Sequence, residues 1–510
     1  MNTLQASSSA DARTLVLGLG ETGAAAARWL ARQGQRLRIA DTREAPPGLE
    51  ALRAALDGAA VEYCLGQGLP ASLLDGVQQL VLSPGLAPGQ ASVSGLLAEA
   101  GVRGVEIVGE IELFARALAA LREERGYAPS LLAVTGTNGK TTVTSLTRHL
   151  LEAAGMSARA AGNISPAALG ALAQALDEDA LPQAWVLELS SFQLETTRSL
   201  QADAAVVLNV TQDHLDWHGG MDAYAAAKAR LFEQARIKIV NREDALVCGM
   251  VPGLARTDVR SFGRGEPSLA GDMGLVSVQD IVWLVASEST DFDEPAPASS
   301  RRAKGPQPEP QRQPGRDSRL MPVDALRLRG LHNALNVQAA LLLARSLGLP
   351  WAPLLRAAGL YEGEPHRMAF VRNIAGVDFI NDSKGTNVGA TLAGLDGLSQ
   401  PVVLIAGGQG KGQDFTELAQ LVARRARAVV LIGQDASIID AALREQGVQA
   451  LHAGSMDEAV CAAFAQAQSG DAVLLSPACA SLDMFKGYPQ RGQAFADAVR
   501  ELALDNGEVA

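Results

Sequence analysis

Aromatic residues and cysteines are scarce in this chain, and long apolar runs are missing altogether. Phe, Trp and Tyr make up 4% of the 510 residues, so a core has to be built from aliphatic side chains. The four cysteines, Cys64, Cys248, Cys461 and Cys479, stand far apart. That spacing fits neither a zinc site nor a disulfide framework, and it suits a reducing, cytoplasmic setting. No stretch approaches the ~18 apolar residues of a membrane-spanning helix. The first ten residues lack the basic and apolar regions of a secretory signal and are expected to form a frayed tail. Basic residues number 44 against 56 acidic ones. The net charge of −12 argues against a nucleic-acid surface and still allows a local basic cleft for phosphates.

Apolar residues, at 47%, and 51 glycines are plentiful, as expected for a water-soluble α/β protein. The length predicts about three domains. In the first block, strands at Arg13–Gly18, Arg36–Asp41 and Gln79–Ser83 alternate with helical stretches such as Ala24–Arg32. Such alternation implies βαβ units and a parallel sheet. The breaker cluster Gly126-Tyr-Ala-Pro129 ends this block, so residues 1–126 are expected as one domain. A central domain is expected over 127–325, with strands at Trp185–Leu189, Ala204–Val210 and Ile237–Val240. Within it, Pro295–Arg319 holds six of the chain's 23 prolines and no apolar type but alanine. It cannot bury enough surface to offset its ordering entropy, and a disordered insertion is expected near 290–320. The third block, 326–510, opens with a helix at His332–Arg345 and continues with four more strands.

The most informative segment is Leu131-Leu-Ala-Val-Thr-Gly136-Thr-Asn-Gly-Lys140-Thr-Thr-Val143. A strand, a glycine turn and a helix N-terminus together form an anion cradle of free backbone N–H groups. Gly136, Thr137, Asn138, Gly139, Lys140, Thr141 and Thr142 are the expected triphosphate contacts, with Lys140 reaching the terminal phosphates and Thr141 placed for magnesium. The turn is shorter than the common P-loop, whose first glycine would fall at Val134.

Other motifs admit more than one reading. Gly18-Leu-Gly-Glu-Thr-Gly23 followed by Asp41 fits a dinucleotide fingerprint, but the same physics would hold any nucleoside diphosphate. Glu188 ends a strand where a magnesium carboxylate could sit. Thr211-Gln-Asp-His-Leu-Asp-Trp-His218 is a metal or phosphate loop, or else Asp213 simply caps a helix. Lys228, in an Ala-rich helix, reads on its own as solvent-facing. Arg367, Lys384, Lys411 and Arg491 place cations near strand C-termini, with Asp382 in the loop of Lys384, a pattern expected for a small anionic substrate as well as nucleotide. A nicotinamide-dependent oxidoreductase built on the Gly18 loop and a nucleotide-gated binding protein remain rival readings.

Taken together, these residues resemble the Mur ligase family. The resemblance rests on the Gly18 and Gly136 loops, Asp41-Thr-Arg43, Glu106-Ile-Val-Gly-Glu-Ile-Glu-Leu-Phe114, Glu188-Leu-Ser-Ser-Phe-Gln-Leu194, Asn381-Asp-Ser-Lys384 and Ser476-Pro-Ala-Cys-Ala-Ser481. It implies a Rossmann-like N-terminal domain, a central P-loop-type ATPase domain and a Rossmann-like C-terminal domain that binds the incoming amino acid. The implied reaction is ATP-dependent addition of D-glutamate to UDP-N-acetylmuramoyl-L-alanine through an acyl phosphate, by a monomeric cytoplasmic enzyme. A sister ligase using another amino acid is the alternative within the family. Thr22, Asp41, Arg43, Gly85 and Asn163 would bind the UDP portion, while Asn333, Asn336, Arg367 and Asp382 would touch adenine or ribose. Thr141 and Glu188 would hold one Mg2+, and His214 with Lys228 a second, Lys228 as a carbamate formed with CO2. Lys140, His214 and Lys228 are the implied catalytic residues, and Lys384, Thr386, Lys411, Ser481, Leu482 and Tyr488 the D-glutamate contacts. Two positions depart from the family. Tyr488 replaces a common Phe, and Glu21 replaces an apolar residue, so a carboxylate is expected near the pyrophosphate, where it would repel mildly.

Overall fold

The computed structural model describes residues 13–289, 311–328 and 330–508. Aliphatic strands that are buried on both faces assemble into three mostly parallel sheets. In the first domain the order is Val61–Leu65, Arg36–Asp41, Arg13–Leu17, Val77–Leu82, Glu106–Val108, all parallel. Strand order reverses beside Arg13–Leu17, the place where doubly wound sheets open a ligand crevice. The central sheet runs Val259–Phe262, Ala235–Asn241, Ala202–Val207, Ser130–Thr135, Ala184–Glu188, Ala158–Gly162. In the third sheet, Val377–Asn381, Ala472–Leu475, Val402–Gly407, Ala426–Ile432 and Leu451–His452 are parallel, and Ala369–Ile374 adds an antiparallel edge.

The first and central domains share one apolar core. Trp29, Ile111 and Phe114 pack in the same cluster as Leu169, Leu172 and Trp185, and Phe114 meets Trp185 edge to face at 5.4 Å. The third domain instead has separate cores on the two faces of its own sheet. Among the described residues, no helix is long and apolar enough to cross a membrane.

Two expectations from the sequence are corrected. The helix Leu331–Arg345 does not open the third domain. It packs on the helix Lys140–Ala153, and Val337 and Leu341 join Leu146 and Leu150 in the central core. The third sheet begins only at Ala369. Part of the segment expected as a disordered Pro-rich insertion is ordered. Its residues 290–310 lie outside the described residues, but Arg316–Pro322 is a strand paired antiparallel with Ile281–Glu288. Arg312 is buried, ion-paired to Asp272 at 2.6 Å, and it also donates to the carbonyls of Leu254, Arg256 and Ala270. A low-complexity segment gains order here through a buried guanidinium that composition alone does not reveal. The expected N-terminal tail falls on residues 1–12, outside the described residues.

Candidate active site

The strand Ser130–Thr135 lies inside the central sheet and delivers the turn Gly136–Gly139 to the sheet's C-terminal edge. Gly139 has φ +83°, and a Cβ there would come within 2.6 Å of Asn336 Oδ1. Glycine thus meets both the left-handed backbone and the close approach of the helix Leu331–Arg345. Asn209 clamps the turn from the next strand: its Oδ1 accepts the Asn138 N–H at 2.8 Å and its Nδ2 donates to the Asn138 carbonyl. The Thr137 hydroxyl accepts from the Thr211 N–H at 3.0 Å and lies 3.1 Å from the Tyr224 hydroxyl. No side chain caps the helix Lys140–Ala153, so its first N–H groups remain available to an anion. Lys140 Nζ bends back to donate to the Gly136 and Thr137 carbonyls, both at 2.8 Å. Burial lowers its pKa, while Glu188 and Asp213 oppose that shift.

Glu188 ends the strand Ala184–Glu188 within reach of this turn. Its Oε1 accepts from Asn163 Nδ2 at 2.7 Å, and its buried Oε2 has no protein partner. Lys228, read in isolation as solvent-facing, is instead 1% exposed. Its Nζ donates to the Gly136 carbonyl at 3.0 Å and lies 4.4 Å from the Tyr224 ring centroid. Burial and the nearby Lys140 charge hold its pKa well below that of an ordinary lysine. His214, at φ +55°, packs on Phe192 with ring centroids 4.8 Å apart. Burial lowers its pKa against the opposing charge of Asp213. Asp213 does not cap the short helix Leu215–His218; His214 stands at the N-cap, and Asp213 accepts the His214 N–H.

The third domain closes over the turn. Arg367 donates to the Thr141 hydroxyl at 2.6 Å, and Asn387 Nδ2 reaches both Asn138 Oδ1 at 3.1 Å and Asp213 Oδ2 at 3.3 Å. Asn333, Asn336, Arg367, Asp382 and Lys384 line one cavity together with Asn138, Gly139 and Thr142. Asp382 is buried there and accepts from Ser476 Oγ at 2.8 Å, and burial pushes its pKa up to about 7. Lys384 Nζ sits 3.8 Å from the Tyr488 ring centroid. Burial, then the Arg367 charge, bring its pKa down to about 8. Thr386 follows in the same turn, its N–H donating to the Lys384 carbonyl. Lys411 is exposed, yet close enough for its charge to act on His214. Buried Ser481 and exposed Leu482 follow Ala480, which bridges to Gln409 two residues before Lys411.

Arg491 does not join this set. It is buried and spends its guanidinium on Ser383 O at 2.8 Å, Ser383 Oγ and Cys479 O, so it is a strut of the third domain. Asn209, Asn387 and Ser476 escaped assignment from the sequence. Each acts across a long stretch of chain, and no local spacing marks such partners.

In the first domain, Thr22, Asp41, Arg43 and Gly85 line one pocket at the strand reversal. A Cβ at Gly23 would lie 1.9 Å from the Gly18 carbonyl, so the turn can close only with glycine there. Burial alone would raise the pKa of Asp41, but bonds from Arg43 and the Leu19 N–H outweigh it and hold the value at about 2. Asn163 is engaged with Glu188, through both its amide side chain and its backbone N–H to the Glu188 carbonyl. Glu21 does not face the loop as expected. It crosses to the central domain, where its Oε1 accepts from Ser165 Oγ at 2.7 Å and the Ala167 N–H at 3.0 Å.

Comparison with known proteins follows the same three-part division. Models of the Mur ligase MurD-like N-terminal domain, the Mur ligase middle domain and the Mur ligase glutamate ligase domain match residues 12–109, 134–280 and 366–479. The UDP-N-acetylmuramoylalanine–D-glutamate ligase of Bordetella avium is 66% identical, with 100% of both chains covered. The chain belongs to the Mur ligase family. The ligase of the same name from Ralstonia nicotianae is 55% identical over 97% of each chain. Among solved structures, the UDP-N-acetylmuramate-alanine ligase MurC from Thermotoga maritima matches with a TM-score of 0.54 at 18% identity, covering 96% of this chain and 99% of that one. The MurF ligase of Thermotoga maritima in complex with ADP matches with a TM-score of 0.54 at 15% identity, covering 83% and 95%. These two matches carry the Mur ligase fold alone.

Proposed function

We propose that this Mur ligase joins the amine of D-glutamate to the L-alanyl carboxylate of UDP-N-acetylmuramoyl-L-alanine at the expense of ATP, in peptidoglycan precursor synthesis. The observation that carries the reading is the meeting of two anion-recognising edges, the Gly136–Thr142 turn and the loop bearing Arg367 and Lys384, joined by Arg367 on Thr141. A redox enzyme on the Gly18 loop would have no use for that second edge.

The ATP phosphates take the uncapped helix N-terminus, and adenosine takes the cavity of Asn333, Asn336, Arg367 and Asp382. Lys140 turns from the Gly136 and Thr137 carbonyls to the terminal phosphate and offsets charge on the transferring oxygens. UDP binds the pocket of Thr22, Asp41, Arg43 and Gly85, with Asn163 on the path toward the central turn. The L-alanyl carboxylate attacks the γ-phosphate in line, forming a C–O–P acyl phosphate and releasing ADP. Lys384, Thr386, Lys411, Ser481, Leu482 and Tyr488 receive D-glutamate, whose amine attacks the acyl carbon. The tetrahedral adduct then expels inorganic phosphate and passes its extra amine proton to that phosphate, leaving the amide. The Arg367 and Asn387 contacts keep water from the acyl phosphate while the third domain is closed.

The donor groups fit divalent cations. Glu188 Oε2, buried and unpartnered, suits a hard cation together with Thr141, and His214 with Lys228 would hold a second. Lys228 fits only after modification. Its lowered pKa favours the neutral amine, which adds to CO2 with loss of one proton and so becomes an anionic oxygen donor. Magnesium bound there would neutralise charge on the phosphoryl group. Four free thiols suit a reducing cytoplasm. The test is phosphate release from ATP with UDP-N-acetylmuramoyl-L-alanine across a panel of amino acids. D-glutamate should be the one that gives turnover and a heavier product by mass spectrometry, and turnover with a different amino acid alone would overturn the assignment.

A further inference from the structure

The helix Ala168–Asp177 begins after Pro166-Ala167, a sequence with no side chain able to cap it, and none does. Two of its N-terminal N–H groups are satisfied instead from the first domain. Glu21 takes the Ala167 N–H at 3.0 Å, and Glu110 takes the Leu169 N–H at 2.5 Å. The Glu21 carboxylate at this helix N-terminus also interacts favourably with the helix dipole. Glu21 does more than cap, because it binds Ser165 Oγ at 2.7 Å as well. The same short turn is closed by the Gly162 N–H on the Pro166 carbonyl, and Asn163 in it holds Glu188 Oε1 at 2.7 Å. Hydrogen bonds at either end of the 163–167 turn, joined by its backbone, therefore connect the Gly18–Gly23 loop to the carboxylate whose other oxygen is buried and unpartnered.

Resting on the proposed ligase function, we infer that Glu21 is a positioning residue that keeps the UDP loop and Glu188 in one fixed spacing. It acts through Ser165, Ala167 and Asn163 and touches neither substrate. Removing its carboxylate leaves the first-domain pocket intact but lets the Asn163 turn and Glu188 drift. Acceptor carboxylate and γ-phosphate then lose alignment, which lowers kcat more than it raises KM.

The test compares the purified full chain with Glu21→Ala, Glu21→Gln, Ser165→Ala and the Glu21→Ala/Ser165→Ala double variant. Readouts are kcat, KM for the UDP substrate, and Mn2+ affinity in the presence of ADP by water-proton relaxation. Glu21→Ala should lower kcat by about fivefold or more, with KM moving less than about threefold and Mn2+ binding weakened. Glu21→Gln should recover most of the loss, since an amide oxygen accepts both bonds. The double variant should be no worse than Glu21→Ala alone, because both changes break one contact. If Glu21→Ala folds poorly, Ser165→Ala keeps the carboxylate and should show a smaller loss of the same kind. A kcat within about fivefold of the wild type, unchanged Mn2+ affinity, or losses that multiply in the double variant would overturn the inference. A wild type that consumes no ATP with all reactants would instead overturn the ligase reading itself.

Discussion

Arg367 of the third domain donates to the hydroxyl of Thr141 at 2.6 Å, although 226 residues separate them in the chain. The contact ties the third domain to the first turn of the helix Lys140–Ala153. The first two domains cannot open as freely, because their side chains interdigitate in one core. On the proposed function, opening of the third domain would admit ATP and its closure would seal it.

Replacing Arg367 by Ala should raise KM for ATP by about tenfold, the worth of one charge-assisted hydrogen bond of ~1.5 kcal/mol. Steady-state kinetics with ATP varied would measure it. An unchanged KM would mean that the contact closes the domain without helping to bind nucleotide.

Lys140→Ala should abolish turnover, by about 10² to 10³ or more, with the melting temperature kept. Among the described residues its ammonium bonds to the Gly136 and Thr137 carbonyls, both in its own turn, so little stability depends on it. Phosphate release and a thermal melt, read side by side, decide the matter, and near-normal activity would refute the assignment.

Lys228→Ala should be inactive and should recover partly when small carboxylates such as formate are added. The deleted side chain leaves a buried space in which a carboxylate can replace the carbamate oxygens. Full activity without added carboxylate would rule out the carbamate.

Glu110 supplies a pH test of stability. Burial, with Glu21 as a nearby like charge, raises its pKa from 4.5 to about 7, against the pull of the Leu169 N–H. The unfolded chain loses this proton first as pH rises, so the stabilisation present below pH 4.5 is lost progressively up to about pH 7. The whole effect is about 3 kcal/mol at most. Melting temperatures between pH 5 and pH 8 should fall less for Glu110→Gln, which has no such proton, than for the wild type. Parallel curves would contradict the assigned shift.

Much of the site was legible because its signals are local. The strand, glycine turn and helix around Lys140 lie within about four turns of chain, and steric rules dictate which residues can form them. The strand ends carrying Glu188 and Asp382 were legible from aliphatic runs. Lys228 was not, since an Ala-rich helix looks the same whether its lysine points to water or into a core. Arg491 failed in the opposite direction. A cation near a strand end reads as a ligand contact until its guanidinium is seen spent on backbone carbonyls.

Composition, periodicity and one glycine–lysine motif by themselves determined the α/β class, the parallel sheets and the strand–turn–helix at Lys140, because these depend on neighbours within a few tens of residues. Tertiary structure alone decided that the helix Leu331–Arg345 belongs to the central core, that Arg312 anchors the end of a Pro-rich segment, and that Glu21 caps another domain's helix. Each of these depends on which distant groups exclude water around a side chain. Burial of that kind is a property of the packed chain and leaves no mark on the local sequence.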